Sequence, residues 1–165
     1  MNGIIVPDFS AKTLDGKIFQ LKHAKGKVVV LNFWFVACSP CRAEMPSLNK
    51  IVSSFKNDDV VFVSVALDKE ADLKQFLRMN RFLFQTIADP TFIITDKTFH
   101  IKNFPTTIVI DKKGIIKLFT MGSKDTAEAI DISLDENLVR AIDDCLGKKY
   151  QKKMIFDNPP GFFKL

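Results

Sequence analysis

Histidine and cysteine are scarce in this chain of 165 residues. There are two His, His23 and His100, and three Cys. A structural zinc site wants four ligands, commonly two Cys pairs or a Cys pair with a His pair. Here Cys38 and Cys41 stand close together and Cys145 lies far away, so no metal site is expected. A disulfide scaffold needs several pairs, whereas three cysteines leave one pair and one spare. Long apolar runs are missing too. No stretch of 18 apolar residues occurs, so no transmembrane helix is expected. No basic n-region or apolar h-region opens the chain, which goes straight from Met1-Asn2-Gly3 into "IIVPDFSAK". The expectation is a cytosolic protein, or the mature part of an exported precursor with an added start Met. One Tyr and one Trp stand against sixteen Phe, which predicts a Phe-packed core. No internal repeat or low-complexity segment appears.

What is present is a soluble, globular composition, 47% apolar and 26% charged. The length suits one domain. Of the net charge of +5, residues 147–165 carry +4, from Lys148, Lys149, Lys152, Lys153 and Lys164 against Asp157. A nucleic-acid binder carries its basic stripe on a folded face. A basic terminal tail reads instead as solvated, and no nucleic-acid partner is expected. Residues 1–146 are expected to form the domain and 147–165 an irregular tail containing Asn158-Pro159-Pro160-Gly161.

Asp15-Gly16 and Lys25-Gly26 are turn signals around "KIFQLK", a short strand. "VVVLNFWF", residues 28–35, is apolar on both faces and predicts a central strand. Cys41, Met45, Leu48, Val52 and Phe55 follow 4-3-4-3 spacing, one face of a helix. Pro40 suits its first turn and Pro46 should kink it. "VVFVSVAL", residues 60–67, is a second buried strand. Asp68 is the expected N-cap of a helix turning Leu73, Phe76 and Leu77 inward. Residues 82–103 are ambiguous between strand and helix, with local order favouring a short helix near 91–99. "TTIVID" and "IIKLFT" form a hairpin around Lys112-Lys113-Gly114. Ser133 and Glu136 make a capping box opening a last helix with Leu134, Leu138, Ala141, Ile142 and Cys145 on one face. On that stripe Cys145 is expected to be a buried, inert core residue. Strands alternating with helices and ending in an antiparallel pair imply an α/β domain, a mixed sheet with helices on both faces.

"WFVACSPCRAEMP", residues 34–46, carries the chemistry. Cys38 sits where a central strand hands over to a helix, whose free N–H groups and partial positive charge favour a thiolate. Cys41, one turn on, begins the inward helix face and should be the more buried. Cys38 therefore attacks and Cys41 resolves. A purely structural disulfide across so short a loop removes little unfolded-state entropy. A peroxidatic Cys would want Thr or Ser three residues before it and Pro seven before. Cys38 has Phe35 and Leu31 there, and Cys41 has Cys38 and Trp34.

"GKVVVLNFWFVACSPCRAEMPSL" with "FPTTIVID" downstream resembles the thioredoxin superfamily, and within it the TlpA/ResA-like thiol–disulfide oxidoreductases. The leading "PDFSAKTLDGKIFQL" fits that subgroup, as does an extra strand–helix unit before "FPTT". The resemblance covers residues 6–120. It implies a thioredoxin fold with an N-terminal β-hairpin and an inserted strand–helix unit, and a cis Phe104-Pro105 peptide beside the active thiol. Trp34, Ser39, Pro40, Phe104, Pro105 and Thr106 are the residues it implies for substrate binding. Three departures stand out. Ala37 replaces the usual Trp before the first Cys, Ser39-Pro40 keeps the Pro of thioredoxin-type reductants but not its Gly, and Asn32 occupies the position of the buried acid. Proton handling then falls to Glu44, as in ResA-like members, with an ordinary exposed helix carboxylate as the alternative.

The function so implied is reduction of protein disulfides through the Cys38–Cys41 couple, with no metal or organic cofactor. Partners would be a disulfide-containing protein and an upstream thiol reductant, with a membrane-bound donor as the resemblance implies, and the protein itself a monomer. An extracytoplasmic, periplasmic location follows from the resemblance, with a tether in a longer precursor as one arrangement. The competing class is a non-catalytic binding module that grips a partner with the Pro105 face, and an oxidase or peroxidase-like member is a further alternative.

Overall fold

Residues 3–150 are described by the structure, a computed structural model. Strands β1 (Ser10–Lys12) and β2 (Ile18–Gln20) form an antiparallel hairpin. Its turn uses Gly16 at φ +89°, a left-handed conformation that glycine adopts without a side-chain clash. The main sheet comprises β3 (Val28–Trp34), β4 (Val60–Ala66), β5 (Gln85–Ala88), β6 (Thr106–Ile110) and β7 (Ile116–Met121). Their spatial order is β5-β4-β3-β6-β7. β3, β4 and β5 are parallel, while β6 and β7 run antiparallel to their neighbours β3 and β6. Every residue of β3 is buried, as its unbroken apolar run requires of a strand covered on both faces.

Helices α1 (Ser39–Ser54) and α2 (Glu70–Met79) cross over between the parallel strands. α3 (Ala127–Ser133) continues through a π-helical stretch, Leu134–Val139, into α4 (Arg140–Leu146). Leu48 and Ile51 of α1 and its C-cap residue Phe55 pack with Leu138 and Ile142 over Val28 and Val30. Leu73 of α2 joins Trp34 and Ala66 on the same sheet face. The opposite face is closed by Phe9 and Phe19 near the hairpin, Leu21 and Ala24 in a single 3-10 turn, and Ile94 beside Phe99. Both faces therefore carry helical segments, but the second has single turns in place of long helices. Phenylalanines dominate that core, with Phe99 in contact with the rings of both Phe9 and Phe33.

A polar row crosses the sheet beneath α1. Thr120, Thr107, Asn32, Ser64 and Thr86 are directly opposed neighbours on β7, β6, β3, β4 and β5. Opposed residues share a face, and here Asn32 Nδ2 donates to Thr107 Oγ1 at 3.0 Å and Ser64 Oγ donates to Thr86 Oγ1 at 2.9 Å. On one side of this row lies the deep core around Leu48 and Phe62. On the other lies the cluster of Trp34, Cys38, Cys41, Met45, Ala66 and Leu73.

Two helix starts differ from the sequence expectation. Ser133 and Glu136 do not open the last helix. It begins at Ala127, where Thr126 Oγ1 accepts from Ala129 N, and Ser133 already has helical geometry. Asp68 does not cap α2, whose N-cap is Lys69 with no side-chain hydrogen bond. Its Oδ2 instead accepts from Val36 N at 2.8 Å, because the end of β4 lies beside the exit of β3. The ambiguous stretch resolves into both alternatives, strand β5 and a π-helical turn at Ile93–Thr98. α1 runs on through Pro46. Beyond α4 the chain stays docked. Lys148 pairs with Asp58, Tyr150 Oη donates to Asp135 Oδ2 at 2.9 Å, and the Arg140 guanidinium lies 4.3 Å from the Tyr150 ring centre. The rest of the expected tail, 151–165, lies outside the described residues.

Candidate active site

The site forms where β3 ends and α1 begins. Cys38 is the N-cap of α1 and Cys41 lies in its first turn, and their sulfurs are joined with Cα atoms 5.3 Å apart. Cys41 N donates to Cys38 Sγ at 3.2 Å. The Cys38 sulfur thus occupies the place that an N-cap oxygen usually takes, facing free N–H groups and the positive end of the helix. Pro40 sits in the first turn, where a missing N–H costs nothing. The expected difference in burial between the cysteines is absent. Cys38 is 4% exposed and Cys41 3%, because Trp34, Met45 and Leu73 pack around both in the disulfide form.

Ala37, Ser39 and Pro40 are exposed around the couple and Phe104 is half-buried. The Phe104-Pro105 peptide is cis. Pro105 and Thr106 are buried, with the Thr106 hydroxyl donating to the Asn103 carbonyl at 2.6 Å. Trp34 requires a correction. It is 0% exposed, with its ring near Phe76 and Phe82, so it supports the couple from beneath and offers no surface to a substrate. Reduction of Cys38–Cys41 should then raise Trp34 emission, since a neighbouring disulfide quenches indole. An identical emission spectrum in both redox states would count against this packing.

Glu44, one turn after Cys41, is not the ordinary exposed carboxylate of the alternative. It is 5% exposed. Burial pushes its pKa up from 4.5 to about 7, while the nearby Ser123 hydroxyl pulls the other way. Asn32 is buried and carries no titratable proton. Cys145 is half-buried on the last helix, where burial, then Asp111, pushes its thiol up to about 11. It remains a protonated thiol at neutral pH.

Three contacts were not foreseen. Phe35 meets Phe104 edge-on at 5.4 Å, making an apolar rim beside Cys38. Its signal was its place between the buried strand and the motif. Asp68 ties down the loop through Val36, and Ser123 reaches Glu44 from a segment that has no sequence motif.

A helix-capping CXXC couple, a cis-Pro beside it and a five-stranded mixed sheet define a thioredoxin-fold thiol–disulfide oxidoreductase. The chain belongs to the AhpC/TSA family, whose pattern matches residues 3–119. It is similar to the thioredoxin-like protein YneN of Bacillus subtilis, 35% identical over 76% of each chain. It is also similar to the thiol-disulfide oxidoreductase ResA of Bacillus cereus, 35% identical over 66% of this chain, and it spans 62% of that relative's length. Among solved structures, a protein of Chlorobium tepidum assigned as the thiol:disulfide interchange protein DsbE superposes with a TM-score of 0.76. The two are 29% identical, over 86% of this chain and 98% of the other. Among the described residues, no helix is long and apolar enough to cross a membrane.

Proposed function

We propose that the protein reduces disulfides in protein substrates. The Cys38 thiolate attacks a substrate disulfide, and one substrate sulfur leaves with the electron pair. Cys41 loses its proton to Glu44 and attacks Cys38, releasing the second substrate sulfur and closing the Cys38–Cys41 disulfide. Two electrons pass to the substrate, and no metal or organic cofactor takes part. Substrate approaches over Ala37, Ser39, Pro40 and Phe104, with Pro105 and Thr106 shaping the floor. The observation that carries this reading is the buried carboxylate of Glu44 one helical turn from the resolving cysteine. A binding module has no use for a destabilised buried acid at that place.

A thiol reductant must then regenerate the couple. The resemblance to TlpA/ResA-like proteins supports an extracytoplasmic site of action and a membrane-bound donor. Pro40 supports the reducing direction. Insulin reduction by the dithiol form tests the activity, and repeated turnover is expected. Binding of insulin without reduction would favour the non-catalytic module. Equilibration with glutathione should place the couple nearer to thioredoxin's potential of about −270 mV than to the ~−120 mV of a strong oxidant. A value near the latter would reverse the direction.

A further inference from the structure

We infer that a polar pocket between the end of β7 and the α3 region is the route by which the proton taken from Cys41 leaves Glu44, away from the substrate face. This rests on the reading of Glu44 as proton acceptor and adds where the proton goes. The pocket encloses about 180 Å³ and is lined by Glu44, Thr120, Ser123, Lys124, Ser133 and Asn137, among others. Hydroxyl, amide and ammonium groups dominate these walls, and a polar space of this size admits several water molecules. Its lining includes no residue of the motif loop 35–40, and not Phe104. A protein docked over Cys38 would therefore leave it open.

The chemistry gives such an exit a use. As Cys41 Sγ bonds to Cys38 Sγ, the Cys38–substrate S–S bond breaks and its electron pair leaves on the substrate sulfur. The Cys41 proton goes to a Glu44 carboxylate oxygen. Before the next cycle the carboxyl must give that proton to water, and the pocket brings water to it whether or not a protein still lies over the couple. Thr120 on the pocket wall is the cross-strand neighbour of Thr107, which accepts from Asn32. The polar row thus ends in the pocket, and the titratable group stands on the helix above it. Lys124, from the segment after β7, is the cationic residue of the pocket wall. On α3, Asp131 accepts from Ser47 Oγ and lies 4.0 Å from Lys50 Nζ.

Reaction of the dithiol protein with 5,5′-dithiobis(2-nitrobenzoate) separates the steps. Each protein releases one coloured thiolate on Cys38 attack and a second on resolution by Cys41. Ser133→Leu fills the pocket from the helix. Asn137→Leu blocks its mouth from an exposed position and keeps the test available if the first variant misfolds. Each takes water away from Glu44 and so should raise its pKa, moving the pH profile of the second release to higher pH and slowing that release about 10-fold at pH 7, leaving the first release unchanged. Ser133→Ala should behave as the parent. A normal second release and pH profile in the folded Leu variants, with Glu44→Gln slow, overturns the route alone. A normal second release in Glu44→Gln overturns the proton-acceptor reading as well.

Discussion

Cys41→Ser should lose turnover and accumulate substrate as a mixed disulfide on Cys38, whereas Cys38→Ser should lose turnover and accumulate nothing. The two sulfurs are equally hidden in the disulfide form, so burial does not separate their roles. Position does. Cys38 Sγ accepts from the Cys41 N–H and caps α1, so its thiolate keeps the helix-end stabilisation once the disulfide opens. Cys41 lies within the first turn, near a carboxylate that disfavours a second negative charge. A Ser at position 41 cannot displace substrate, because an alkoxide is not accessible at neutral pH. Mass spectrometry of non-reduced complexes reads the result directly. Equal trapping by both variants would sink the assignment of attacking and resolving thiols.

Glu44→Gln should change both rate and stability, with opposite signs for fitness. Turnover should fall by about 100-fold, within the range for removal of a general base. The rise in rate with pH through about 7, where Glu44 loses its proton, should vanish. Thiol titrations should move to lower pH, since a negative charge is gone. Stability goes the other way. Between pH 4.5 and about 7 the folded protein holds a proton that the unfolded chain has lost. Stability of the parent therefore falls as pH rises across that window and is flat above it. The full effect is about 3 kcal/mol. Chemical denaturation at pH 4 and pH 8 should show this loss in the parent and not in Glu44→Gln. Equal pH dependence in the two proteins, with equal rates, would return Glu44 to an ordinary carboxylate.

The motif, the central strand and the 4-3-4-3 face of α1 were legible because each is a local pattern with a strong physical cause. The cis peptide was not written in the residues themselves, which favour a trans bond, and it came from the resemblance. The two misplaced caps have a common cause. Ser133 and Asp68 both have the right side chain for capping, but capping depends on which N–H group lies nearest in space. Thr126 reached the free end first in one case, and Val36 drew the carboxylate in the other. Trp34 illustrates a different limit. Proximity to Cys38 in sequence said nothing of which side of the sheet edge the indole would occupy, and strand alternation with Asn32 and Val30 sent it inward. The Ser123–Glu44 approach joins segments 79 residues apart, with no pattern to announce it.

The polar row also bears on how the molecule loosens. Hydrophobic contact is what makes neighbouring segments open together, and on the α1 face the polar row thins that contact across the strands, with Phe82 packing against the clusters on both sides. The first turns of α1 pack with Trp34 and Leu73 on one side of the row, and its later turns pack with the last helix on the other. Amides near Cys41 can therefore exchange with solvent through a local opening, while those around Leu48 and Phe55 wait for global unfolding. A couple that must be attacked, released and re-reduced can breathe at low cost, and the remainder of the domain keeps its cooperativity.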